Sequence, residues 1–448
     1  MEDLGCSLIE ERVKDEEEGN GCNSGEVSLL SKDYKRSSSN RRDELRHFRT
    51  SLCCWGLDQS TRLRRAFSLI LFILFTICVP VFSSFFVECP KCDEQGYAFD
   101  KLVQIPQCIL ASISFIALSR YLRKYGLRKF LFLDQLCDDT AQVQLGYTTE
   151  LDKAFKLLAW ILLPSFLIEI VHKILWYSTV TVSIPFISGR ILSTSLVFTA
   201  VITSWLYRTG VFLLVCMLFR LTCHLQILRF DGFRKFLEEY SSDVSIILKE
   251  HMRIRHQLFL TSHRFRFFVL ASLLTITISQ FAALLMTLSS RTEINFFNAG
   301  DLVVCSVVQV TGFLLCLLGA ARITHRAQGT VSVATRWHVL ATCTSYGSSY
   351  PQTENLPSPQ SHVESSVNPF SCVDSASDSE TSEVFFMFPS KDASAAFEIR
   401  QAFVTYLQHN NGGITLFGFV LDRGLLHTLF AFEFSLVMWI LSKAIRFS

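Results

Sequence analysis

The sequence predicts an all-α fold, a polytopic bundle of seven transmembrane helices with helical extensions on its cytosolic side. Two observations carry that expectation: seven long apolar runs, and basic residues gathered on only one side of them. A membrane-crossing helix needs about 20 predominantly apolar residues, and no soluble domain repeats such runs without alternating polar positions. Because cytosolic loops collect Lys and Arg, the same pattern directs the amino terminus to the cytosol and the carboxyl terminus outside.

The spans read in order as 66–87, 102–118, 155–177, 191–219, 265–288, 300–321 and 425–445. The first follows Arg62, Arg64 and Arg65 and is almost unbroken Leu, Ile, Phe and Val. The second is the weakest, with Gln104, Pro106 and Gln107 in its first turns. After it come Arg120, Arg123, Lys124, Arg128 and Lys129, whereas 88–101 carries only Lys91 and Lys101 against four acids. Deleting the second span would place that basic run outside and invert every later loop, so it is retained. After span four the bias returns with Arg220, Arg229, Arg234, Lys235, Lys249 and Arg253, and after span six with Arg322 and Arg326.

Four segments follow: a polar tail over 1–61, spans one to six with their extensions over 62–341, a Ser-rich insert over 342–390, and a helix plus the last span over 391–448. The tail and the insert have the composition of disordered cytosolic chain. The first apolar run starts too late and runs too long for a cleavable signal peptide. Between spans four and five, Phe233, Phe236, Leu237, Tyr240, Val244, Ile247 and Leu248 recur at helical spacing, which predicts one amphipathic helix running on into span five. Ala396, Ile399, Phe403 and Leu407 mark a further helix, N-capped by Asp392 and stopped by Asn410, Asn411, Gly412 and Gly413.

Overall charge, +2, says little because its distribution across the loops holds the information. Topology explains the basic residues, so nucleic-acid binding is not indicated. Cys89 and Cys92, in the first outer loop, stand as either a disulfide or two free thiols. Zinc would need a second ligand pair. No catalytic nucleophile with its base is found either. The expectation is therefore of no enzyme, no cofactor and no metal.

Charged side chains inside a span cost at least about 2.5–3.5 kcal/mol, so they face protein or water. Glu433 sits mid-way along the seventh span with His427 lower on the same helix. Two readings stand: a carboxylate that attracts cations in a pore, or a buried acid that holds helices together. Glu169 and His172 share one face of span three, with Trp176 and Tyr177 a turn further out. They read as a structural pair, as the polar wall of an aromatic ligand pocket, or, least of all, as half of a di-metal motif whose second copy is missing. Arg208 in span four needs Glu169, water or a carbonyl as partner.

Seven spans with the amino terminus inside, extended spans four to six and a divided seventh helix resemble the insect odorant and gustatory receptor superfamily. The closing stretch Gly413-Ile-Thr-Leu-Phe-Gly-Phe-Val-Leu-Asp422-Arg423-Gly424-Leu-Leu-His427-Thr428 more closely resembles a plant family of unknown function, the gustatory-receptor-like proteins. The likeness covers about 62–445 outside the insert. It implies a homotetrameric ligand-gated cation channel, bound by a small molecule and surrounded by lipid bilayer; the plasma membrane is preferred over an endomembrane. The seventh helix would line the pore, with Glu433, His427 and Thr428 as candidates. The ligand pocket would lie in the outer half, near Glu169, His172, Trp176 and Tyr177. Where the insect gustatory motif has Thr-Tyr and, after five apolar residues, Gln-Phe, this chain has Thr428-Leu429 and Glu433-Phe434. The alternative function is a non-conducting receptor or scaffold that signals through its cytosolic helices and Ser-rich loop.

Overall fold

Each apolar run forms a helix in the computed structural model. The structure describes residues 52, 55–57, 59, 61–88, 94–130, 141–178, 181–182, 190–239, 244–289, 296–347, 391–410 and 412–446. Helix α1 comprises Arg62–Ile73, a π-helical turn at Leu74–Cys78, and Val79–Phe86. The rest are α2 (Glu94–Phe130), α3 (Ala141–Tyr177), α4 (Arg190–Glu239), α5 (Val244–Ser289), α6 (Phe296–Gly347), α7 (Lys391–His409) and α8 (Arg423–Arg446). Two short antiparallel pairs join them: β1 (Val87–Glu88) with β2 (Thr181–Val182), and β3 (Thr415–Leu416) with β4 (Phe419–Val420). The chain divides into two units, Met1–Asp58 and Gln59–Ser448, and helices α1 to α8 all belong to the second.

Seven of these helices, all except α7, are long and apolar enough to cross a membrane. The chain is an integral, multi-pass membrane protein. The weak second span is among them, as Val103–Arg123.

Burial separates core helices from outer ones. In α4, 83% of the apolar window is buried and in α6 67%, against 22% in α1, 17% in α3 and 28% in α8. Helices α1 and α3 turn Leu63, Phe67, Ile70, Trp160, Leu163 and Leu167 outward. Such faces belong in lipid, where apolar exposure has no cost.

Small residues let α4 and α6 approach. A Cβ on Gly312 would lie 2.7 Å from Leu213 Cδ2 and 3.1 Å from Phe212 Cε1, whereas around Gly329 there is open space. We expect Gly312→Leu to destabilise the detergent-solubilised protein by about 1–3 kcal/mol, the cost of overpacking. Gly329→Ala should instead raise the melting temperature slightly, because Ala favours helix over Gly. Thermal unfolding of both variants checks the contrast.

The π-helical turn of α1 has a local cause. Pro80 lacks an N–H, so the carbonyl of Thr76 loses its helical donor. Cys108 Sγ–H from α2 donates to that oxygen at 3.1 Å, and Ser204 Oγ–H from α4 donates to the neighbouring Phe75 carbonyl. The freed carbonyls thereby tie α1 to the core.

Helices α4, α5 and α6 have 50, 46 and 52 residues. At 1.5 Å per residue each is roughly 70–80 Å long, more than twice the hydrocarbon thickness of about 30 Å. Their surplus lies at the basic end, where the extensions pack together. His224 Nε2 on α4 is 3.4 Å from Glu150 Oε2 on α3. Rings of Phe233 and His251 meet across α4 and α5, and those of Trp337 and Phe403 across α6 and α7. The stretch 233–248 is therefore not one amphipathic helix. Helix α4 ends at Glu239 and α5 begins at Val244, and Phe233 and Leu237 of the first and Ile247 of the second are buried while Leu248 is exposed.

Helix α6 continues to Gly347, beyond the boundary at 341 expected from composition, and Thr342 Oγ1 bonds the His338 carbonyl within it. Helix α7 begins at Lys391, which puts Asp392 inside the first turn and not at the cap. Between α7 and α8, the Thr415 N–H donates to Ser262 Oγ at 2.9 Å, and the Ile414 N–H to Thr324 Oγ1 at 3.3 Å. The β3–β4 hairpin is thus pinned to α5 and α6. Asp422 then caps α8, its Oδ1 accepting from the Leu425 N–H at 2.8 Å. The tail over 1–61 lies almost wholly outside the described residues, as do most of the Ser-rich insert and both Cys89 and Cys92.

Candidate functional site

The polar residues singled out in the spans resolve into two places. The first is a charge cluster between α3 and α6. Glu169, His172 and Lys173 turn toward the start of α6 and are buried there with Asp301. Lys173 Nζ lies 3.1 Å from Asp301 Oδ2 and 3.9 Å from Glu169 Oε1. The His172 ring rests against Gly300, where a Cβ would approach within 2.6 Å of its Cδ2. Only glycine leaves room for an imidazole at that crossing.

The cluster extends into the core through Cys305. Its thiol donates to Asp301 Oδ1 at 3.1 Å and accepts from Trp205 Nε1–H at 3.3 Å and from the Gln107 amide. Spacing along the sequence pairs Glu169 with His172 and leaves Lys173 as a charge near the helix end. It passes over Asp301, whose acid side chain in the first turn of an apolar span is the available signal.

Trp176 borders this cluster, and Tyr177 packs beyond it against α4. The Tyr177 ring stands edge-on to Trp176 at 5.1 Å and to Phe198 of α4 at 5.7 Å. Lys173 Nζ sits 5.7 Å over the Trp176 ring and links the two groups. Arg208 does not meet Glu169. Its Nε donates to the Ser204 carbonyl at 3.4 Å and its Nη1 to Cys108 Sγ at 3.3 Å. Beside it a cavity of ≈ 10 Å³, lined in part by Gln107, Thr209, Cys305 and Gln309, has room for roughly one water.

The second place is α8. Glu433 is only 3% exposed and faces α5, where its Oε1 accepts from Thr277 Oγ1–H. His427 and Thr428 are exposed. Thr428 belongs to a column on the opposite face of α8: Gly424, Thr428, Ala431, Ser435, Met438 and Ser442, all exposed. At 100° per residue this column centres about 180° from Glu433. Phe432 and Phe434 flank it. The structure thus separates Glu433 from the two residues grouped with it. Among the described residues, no group of three or more His, Cys, Asp or Glu side chains is arranged to hold a metal ion.

Residues 43–432 match the sequence profile of a protein family of unknown function, DUF3537. The chain belongs to that family. No curated protein matches it. Among solved structures, the insect olfactory receptor OR5 from Machilis hrabei superposes on this DUF3537 member with a TM-score of 0.49 and 11% sequence identity, over 89% of this chain and 99% of the receptor's.

Proposed function

We propose that this protein is the subunit of a homotetrameric, ligand-gated cation channel of the plasma membrane. In this reading the basic end lies in the cytosol and α8 faces the central axis. The observation that carries the proposal is the two-sided character of α8. Outer helices α1 and α3 turn Leu, Ile, Phe and Trp toward the surroundings. The outward column of α8 is Gly424, Thr428, Ala431, Ser435, Met438 and Ser442, small except for Met438 and hydroxyl-bearing at three of its six positions. Such a face gains nothing from lipid and suits close helix packing or a wet path. In this reading other copies of the chain provide both.

Thr428 and Ser435 are the pore-lining candidates, with His427 near the start of the helix. Glu433 is assigned to holding α8 against α5. Ligand contact is assigned to the end of α3, where Trp176 and Tyr177 adjoin the cluster of Glu169 and His172. The stoichiometry of four is the one the sequence resemblance implies. Two measurements test the reading: the mass of the solubilised particle, expected to hold four chains of 51.0 kDa, and cation current through bilayers containing it. A folded particle that remains a monomer sinks the proposal.

A further inference from the structure

We propose that the basic end of the bundle holds an anionic phospholipid, its phosphate groups seated between α2 and α5 and its acyl portion against the apolar rim. A cavity of ≈ 590 Å³ opens there, within the size range of small-molecule sites. Among the described residues its charged lining is cationic: Arg120 and Arg123 from α2, Arg264 and Arg266 from α5, with His263 beside them and no Asp or Glu. Four guanidiniums around one concavity focus a positive field, and guanidinium matches phosphate with bidentate geometry. Basic pockets between membrane helices are where phosphorylated headgroups bind.

The walls argue for a lipid over a soluble anion. Ile116 and Phe267, both lining the cavity, are 51% and 64% exposed, and Phe417 at its mouth is 57% exposed. An occupant that covers them must be apolar on one side and anionic on the other. The depth agrees. Arg120 and Arg123 immediately follow the apolar run of α2, and Arg264 and Arg266 stand where that of α5 begins, the level of headgroup phosphates.

The hairpin supplies a third observation. Phe417 has φ 49° and Gly418 φ 91°, which closes β3–β4 with a turn that bulky residues rarely adopt. Strain of this kind persists where surrounding structure or function fixes it. Here Phe417 leans over the cavity with the Arg266 guanidinium 5.2 Å from its ring centroid. Glycine at 417 would adopt the turn without strain, yet would remove the aromatic wall. Because the hairpin leads directly into α8, an occupant would press on the start of that helix. Binding itself does not depend on the channel reading.

The test uses full-length protein in neutral detergent and a fluorescent short-chain phosphatidylinositol bisphosphate as the probe. Saturable binding is expected. Each arginine should contribute about fivefold, so Arg120→Gln/Arg123→Gln, at exposed positions that leave packing intact, should weaken binding about 25-fold. Arg266→Gln should weaken it about fivefold, while Lys156→Gln, exposed on α3, should leave it unchanged. Unlabelled short-chain phosphatidylcholine should not compete. Inositol trisphosphate and inorganic phosphate should compete at least about tenfold less well than the lipid. Equal competition by the headgroup alone would replace the lipid with a soluble phosphate ligand and overturn the proposal. Binding that survives the double substitution, or falls as far in Lys156→Gln, would overturn it also.

Discussion

Lys173→Met is expected to be the most destabilising single substitution in the bundle, by roughly 3–5 kcal/mol, the usual penalty for leaving a buried charge without its partner. The lysine is the cation that Asp301 and Glu169 share, at 3.1 and 3.9 Å, and all three are buried between α3 and α6. Its loss strips that cation from two carboxylates in a low-dielectric space. Asp301→Asn should cost less, because Lys173 keeps Glu169 and the amide oxygen still accepts from Cys305. Neutralising all three, as Lys173→Met/Asp301→Asn/Glu169→Gln, should recover most of the loss, since an ion cluster replaced as a whole sheds its desolvation penalty too. Melting temperatures of the solubilised variants give the ranking. A Lys173→Met protein as stable as wild type would mean that the cluster holds nothing together.

That cluster also marks how far the sequence can be read. Spans are composition, and composition is local, so seven runs are visible one residue at a time. Loop charge rescues the second of them despite Pro106. The i, i+3 pair of Glu169 and His172 is visible for the same reason. Asp301 stands 128 positions from Lys173 in the chain, and no periodicity within one helix announces a partner on another. The stretch 233–248 misleads because two helix ends folded back on each other have the same apolar spacing as one continuous helix. Only Ser241, Ser242 and Asp243 mark the break, without Gly or Pro. The β3–β4 hairpin escapes because two-residue strands leave no alternation to detect. For Glu433, position on the helix is legible but direction is not. Which face of α8 meets α5 depends on Thr277, a contact made only by packing.

Direction is what the last prediction turns on. If α8 surrounds an axis, the side chain at 435 points into it and the one at 433 points away, because the two lie about 200° apart on the helix. Ser435→Lys would place four ammonium groups around the path in a tetramer, and a ring of fixed positive charge excludes cations. We expect cation current to vanish while the particle keeps its mass and melting temperature, since Ser435 is exposed and its hydroxyl bonds the Phe432 carbonyl of its own helix. Glu433→Gln should do the reverse. The amide oxygen can still accept from Thr277, so the protein folds, and the ratio of cation to anion permeability should stay at its wild-type value. Thr428→Lys, further toward the start of α8 on the same column, should behave like Ser435→Lys. Current that ignores Ser435→Lys but loses selectivity in Glu433→Gln would turn the helix by half a revolution and restore the carboxylate to the pore. Equal indifference to both would take α8 off the axis altogether, leaving its column of mostly small residues as a contact between subunits.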